Sequence, residues 1–86
     1  MKIRIVISGR GYPTTETLPE ELTLPAAATV KDAIGELERM LPPAQQLPSS
    51  CLVAVSGDHL GTLGSYKQRS LAEGDELVLI APVAGG

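Results

Sequence analysis

The clearest chemical opportunity in this 86-residue chain lies in its last five residues, Pro82-Val83-Ala84-Gly85-Gly86. Gly85 and Gly86 lack Cβ atoms, so they form a thin thread with wide φ/ψ freedom that can enter the narrow active site of another protein. The reacting group is then the α-carboxylate of Gly86, ionised at neutral pH because such groups titrate near about 3.3–3.7. A carboxylate placed beside Mg²⁺ and cationic side chains attacks ATP to give an acyl adenylate. Sulfur displacing AMP would leave a thiocarboxylate, and an amine would leave an amide. At a Gly frequency of ~7%, two terminal glycines arise by chance in roughly one sequence in 200, so the dipeptide draws its weight from context. It follows a continuous apolar stretch, Pro82 stiffens the exit, and only small or medium side chains come after.

Other reactive side chains are sparse. Cys51 is the one cysteine, so it forms no internal disulfide and supplies no thiolate metal cluster; among apolar neighbours it reads as a buried strand residue. His59 is the one histidine and has no marked nucleophile beside it, so it reads as an exposed turn residue. Asp58, Asp75 and Glu76 do not have calcium-loop spacing, and no metal site is expected. Lys67 and Arg69 could meet an acidic partner surface, with a solvated face as the simpler reading. Ile80 and Val83 could form an apolar docking patch.

Seven Lys and Arg against ten Asp and Glu give a net charge of −3, and the cations are scattered. Phosphate backbones require a basic face, and base stacking requires exposed aromatics, of which the chain has only Tyr12 and Tyr66, so nucleic acid is excluded as a partner. A basic protein partner suits the balance better. Charges interrupt the apolar residues of the first ten positions, so no signal segment is read. Leu77 to Ala84 is far shorter than the ~20 residues of a membrane helix. The expected location is the cytoplasm.

The elements that must carry the tail follow from periodicity. Ile3, Ile5 and Ile7 alternate with polar residues over 2–8, a half-covered strand. Residues 9–17 form a loop with Gly9, Gly11 and Pro13. A short strand over about 20–24 turns Leu22 and Leu24 inward. Val30, Ala33, Ile34, Leu37, Met40 and Leu41 have helical spacing over 29–41, with Thr29 as N-cap, Asp32 in the first turn and Pro42-Pro43 as the stop. Gly35 reads as a point of close packing of this helix on the sheet. Residues 51–56 read as a strand covered on both faces, and 76–81, a run apolar on both faces, as a central strand. Residues 56–59 read as a turn, 60–70 as irregular with one short strand near Tyr66, and 72–75 as a tight turn. Two strands, one helix, then two or three strands predict an α+β fold, a mixed sheet with the helix across one face. With the first and last strands side by side in the middle, this is the ubiquitin-like β-grasp. The expected boundaries are a domain over 1–81 and a flexible diglycine tail over 82–86.

The chain resembles the MoaD/ThiS family of ubiquitin-like sulfur carriers, most closely the small subunit of molybdopterin synthase. The resemblance rests on Lys2-Ile3-Arg4-Ile5, on Leu24-Pro25 with Ala28-Thr29-Val30-Lys31-Asp32-Ala33-Ile34, and on Leu52-Val53-Ala54-Val55-Ser56-Gly57. Above all it rests on Leu71-Ala72-Glu73-Gly74-Asp75-Glu76-Leu77 with Ile80-Ala81-Pro82-Val83-Ala84-Gly85-Gly86. It implies a protein that is not catalytic alone and holds no stably bound cofactor. A ubiquitin-activating-like adenylyltransferase would charge Gly86 with ATP, and a sulfur donor protein would supply sulfur. The tail Pro82 to Gly85 would then insert into the large catalytic subunit of molybdopterin synthase, delivering sulfur to a pyranopterin on the way to the molybdenum cofactor. Ile80, Lys67 and Arg69 are the expected docking residues.

The chain departs from that pattern in residues 9–16, in Tyr66-Lys67-Gln68-Arg69, in the lack of aromatics near the first and last strands, and in Ala81 where a second proline is common. Three alternatives therefore stand beside the first reading. One is a sulfur carrier for thiamine, cysteine or tRNA thiolation, and another is a protein modifier forming isopeptide bonds through Gly86. The third is a non-covalent β-grasp binding module.

Overall fold

A computed structural model describes residues 1–8, 18–43 and 46–81 of the chain. Among the described residues six strands form one sheet: β1 (Lys2–Ser8), β2 (Glu21–Thr23), β3 (Leu52–Val55), β4 (Asp58–Thr62), β5 (Ser65–Tyr66) and β6 (Glu76–Ile80). Their order across the sheet is β2-β1-β6-β3-β4-β5. The helix α1 (Val30–Met40) lies between β2 and β3 in sequence. The α+β β-grasp fold is thus observed, with β1 and β6 adjacent and parallel from Arg4↔Glu76 to Ser8↔Ile80. β3 pairs antiparallel with the other edge of β6, which makes β6 a central strand as expected.

Alternation decides which side chains enter the core. Ile3 and Ile5 of β1, Leu77 and Leu79 of β6, and Val53 and Val55 of β3 point to one face and are buried against Val30, Ala33, Ile34 and Leu37 of α1. The helix begins where the sequence places it. Both the backbone N–H and the hydroxyl of Thr29 donate to Asp32 Oδ2, at 2.8 and 3.1 Å, and the acid also sits at the positive end of the helix dipole. At the other end Pro42 and Pro43 cannot continue the ladder. The Glu38 carbonyl accepts the Leu41 N–H at 3.3 Å, and the Gln46 amide donates to the carbonyls of Glu38 and Leu41 at 3.2 and 3.1 Å.

Two turns orient β6. Ser56 (φ 48°) and Gly57 (φ 87°) close the β3–β4 hairpin in the left-handed region that a two-residue hairpin loop of the right twist demands. The Ser56 hydroxyl donates to Asp75 Oδ1 at 2.9 Å and accepts from the Glu76 N–H at 3.2 Å. The expected 72–75 turn is present: Gly74 has φ 82°, the Asp75 N–H donates to the Ala72 carbonyl at 3.0 Å, and the Ala72 N–H donates to Asp75 Oδ2 at 2.8 Å. Arg4 N–H then donates to the Asp75 carbonyl at 2.8 Å, which sets the start of β6 against β1.

Several expectations need correction. The stretch 58–62, read as turn and irregular chain, is the strand β4. Its one large apolar residue, Leu60, gives no periodic signal, and the pairing is imposed by the Ser56-Gly57 turn and by a bulge at Val53/Ala54. His59 accordingly lies on a strand, although it is exposed as expected. Met40, placed on the helix's apolar face, is 43% exposed: the buried stripe runs through Val30, Ala33, Ile34, Leu37 and Leu41, and Met40 falls beside it. Gly35 is not a point of close packing, since a Cβ there would meet nothing within 4 Å. Nor is the apolar run of β3 covered on both faces, since Leu52 is 44% exposed.

Candidate functional site

Gly86, Gly85, Ala84, Val83 and Pro82, the residues expected to carry and insert the reactive carboxylate, lie outside the described residues, as does the loop 9–17. What the structure describes is the platform from which the tail departs. β6 is hydrogen-bonded on both edges, and Ala81 beyond it is buried, its N–H donating to the carbonyl of Ser8 at 2.7 Å. The chain is therefore fixed to the sheet up to the residue before Pro82.

The face of the sheet opposite α1 has an ordered chemistry, legible row by row from the strand register. Toward the far end from the tail, one row short of the Lys2–Thr23 pair, Glu21, Arg4 and Glu76 stand side by side on β2, β1 and β6, alternating in charge. In the next row Val6, Val78, Ala54 and His59 lie across β1, β6, β3 and β4. Nearest the tail come Ser8, Ile80, Leu52 and Thr62. The face thus passes from charged to apolar toward the point where the chain leaves for Gly86. Ile80 is one of the three docking residues expected from the sequence, with Lys67 and Arg69. Leu52, its cross-strand neighbour, was missed, because an unbroken apolar run from Cys51 to Val55 does not tell which residues share a face with Ile80.

Lys67 and Arg69 are not brought to Ile80. Lys67 follows β5, three strands from β6, which at ordinary strand spacing is about 14 Å. Arg69 is engaged within the chain, its Nη1 donating to Asp58 Oδ2 at 3.1 Å and to the Val55 carbonyl at 3.2 Å. Asp58 is thereby a partner of Arg69, and Asp75 serves its own turn. Among the described residues no group of three His, Cys, Asp or Glu side chains comes together to hold a metal ion. Cys51 is fully buried, and burial pushes its thiol up to about 11, so it carries a proton at neutral pH and is a poor nucleophile. Burial, reinforced by the carboxylates of Glu38 and Asp32, also raises the Tyr66 phenol.

The ThiS family model matches residues 5–86, almost the whole chain and through both terminal glycines. The chain belongs to the ThiS family. ThiS-family proteins are ubiquitin-like sulfur carriers, generally without catalysis of their own and working with partner enzymes. The fold agrees independently. The crystal structure of SAMP1 from Haloferax volcanii is similar over 100% of both chains, with a TM-score of 0.57 and 25% sequence identity. No curated protein sequence matches significantly. No helix of this ThiS-family chain, among its described residues, is long and apolar enough to cross a membrane.

Proposed function

We propose that this ThiS-family chain delivers sulfur as a thiocarboxylate on Gly86 and that its acceptor is a pyranopterin, the chain acting as the small, non-catalytic subunit of molybdopterin synthase in the cytoplasm. The carrier reading rests on the family match, which runs on to residue 86 and so takes Gly85-Gly86 into the family's pattern. The choice of acceptor rests on the resemblance of Leu71 to Gly86 to that subunit. The domain over 1–81 is the handle, and 82–86 is the thread that enters partner enzymes.

In the first step the Gly86 carboxylate attacks the α-phosphate of ATP in a ubiquitin-activating-like adenylyltransferase, and pyrophosphate leaves. A desulfurase- or rhodanese-type donor carries the sulfur as a persulfide; its outer sulfur attacks the acyl carbon and AMP leaves, and a thiol reductant then cleaves the acyl disulfide, freeing the thiocarboxylate and ending as a disulfide with the donor's sulfur. Gly85 lets the thread pass a narrow channel, where any Cβ would widen it. ATP is a co-substrate of the partner, and the chain itself retains no cofactor.

The likeness to SAMP1, whose name denotes a small archaeal modifier, favours a second reading in which a lysine amine displaces AMP and Gly86 forms an isopeptide bond. Intact-mass analysis of the full chain after incubation with ATP, adenylyltransferase and sulfur donor separates the two. Replacement of one oxygen by sulfur is the expected result, a ladder of conjugates would establish the second reading, and an unchanged mass would overturn both. Deleting Gly86 should abolish the mass change while leaving the melting temperature where it was. Conversion of a pyranopterin by the charged chain with the large synthase subunit tests the acceptor.

A further inference from the structure

We infer that Ala81 is a positioning residue for the reactive end: with its N–H held on the Ser8 carbonyl it fixes where the thread leaves the sheet, and so how far Gly86 reaches. The inference rests on the carrier reading. It adds the residue that sets the root of the thread, whichever partner receives the tip.

The hold on Ala81 comes from backbone and side chain together. Its N–H donates to the Ser8 carbonyl at 2.7 Å, the short end of the N–H···O range. Its methyl group is 6% exposed and lies on the inner face of the sheet, as Leu77 and Leu79 do. Continuing the Leu52↔Ile80 register by one residue sets Ala81 opposite Cys51, which is fully buried. Cys51 is itself fixed, its N–H donating to the Pro48 carbonyl at 3.0 Å and its carbonyl accepting the Leu63 N–H at 2.9 Å. Those groups are committed away from β6. Among the described residues, the bond to Ser8 is thus the one that ties the Ala81 backbone to the sheet. Alanine permits it, because a proline at 81 would have no N–H to donate, and Pro82 has none with which to add a further bond.

The consequence is a fixed length. Five residues, Pro82 to Gly86, lie beyond the anchored residue and span at most about 18 Å. An active site that takes Gly86 in through a channel holds the body of the domain at its mouth. The carboxylate must then arrive within about 3–3.5 Å of the phosphorus it attacks, and in line. A root that slipped by one residue would move the carboxylate by up to about 3.6 Å. Misplacement by about 1 Å can already cost on the order of a hundredfold in rate. A loose root would also leave one more residue's backbone entropy to be lost at each encounter.

The test removes one donor and leaves the side chain in place. Native chemical ligation at the Ser50–Cys51 junction joins residues 1–50 to a synthetic segment 51–86 in which lactate replaces Ala81, so that an ester oxygen stands where the N–H was. The wild-type sequence ligated in the same way is the reference, and melting curves verify folding. In the free wild-type chain the Ala81 N–H should exchange with deuterium at least about 100-fold more slowly than an unstructured amide; exchange at the unstructured rate overturns the inference. In ATP–pyrophosphate exchange catalysed by the adenylyltransferase, the ester chain should show KM raised about fivefold with kcat within about twofold. Deleting Val83, which keeps Ala84-Gly85-Gly86 at the tip, should lower kcat at least about 100-fold. Combining the ester with that deletion should recover kcat at least about tenfold, the released residue making up the missing length. A purely structural role for Ala81 would make the double change worse than either alone. A Val83 deletion that leaves kcat within about threefold, or a double change no faster than the deletion, overturns the positioning role while the carrier reading stands. Should the ester chain not fold, amide exchange and the Val83 deletion still decide. Absence of pyrophosphate exchange with the reference chain overturns the carrier reading as well.

Discussion

Two glycines show how differently one residue type is used. Gly61 has φ 134°, and a Cβ there would lie 2.5 Å from the backbone carbonyl oxygen of Ser65, which the β4–β5 pairing holds in place. Gly35 sits in α1 with nothing within 4 Å of its missing Cβ. Gly61→Ala should therefore destabilise the domain by at least about 2 kcal/mol, through backbone strain and a clash that cannot relax. Gly35→Ala should stabilise it by about 1 kcal/mol, by reducing the freedom of the unfolded chain and improving helix propensity. Urea denaturation of the two variants checks both signs. The sequence marks both positions only as glycine, and the sheet register separates them.

At the scale of elements, α1 shows local signals and tertiary packing in agreement. Its start is written in Thr29 and Asp32, three residues apart, and its stop in Pro42-Pro43. Asp32 accepts two hydrogen bonds from Thr29, so Asp32→Ala should cost about 1 kcal/mol, read as a lower urea midpoint with an unchanged slope. β4 is the contrary case. Asp58-His59-Leu60-Gly61-Thr62 has neither β propensity nor alternation, yet it pairs with both β3 and β5. Its strand character comes from its neighbours' unpaired edges, which a reading of local composition does not see.

The whole molecule responds to pH through groups the fold buries. The Cys51 thiol is pushed up to about 11 and the Tyr66 phenol is also raised. The folded state therefore holds protons that the unfolded state releases first. Stability from this source is complete below the ordinary thiol range and is lost as pH rises through the folded value. The unfolding free energy from urea denaturation should fall between about pH 9 and 11 by on the order of 2 kcal/mol, and the fall should be shallower in Cys51→Ala. In native protein the thiol should react slowly with alkylating reagents at pH 8, and quickly once denaturant is added.

Local chemistry alone determined most of the scaffold and marked the diglycine ending as the candidate reactive end. The isoleucine alternation of β1, the apolar spacing of α1, the turn at 72–75 and the diglycine ending all express themselves within a few residues, because period, capping and the absence of a Cβ are short-range properties. The pairing of β1 with β6 was inferable too, since the most apolar strands belong in the middle of a sheet. Tertiary structure alone decided which apolar residues remain on the surface. Leu52 and Val53 are equally apolar, but register turns one to the open face beside Ile80 and the other into the core. A strand inverts its faces with every residue, so exposure depends on how strands far apart in the chain are aligned, and that alignment is a property of the assembled sheet.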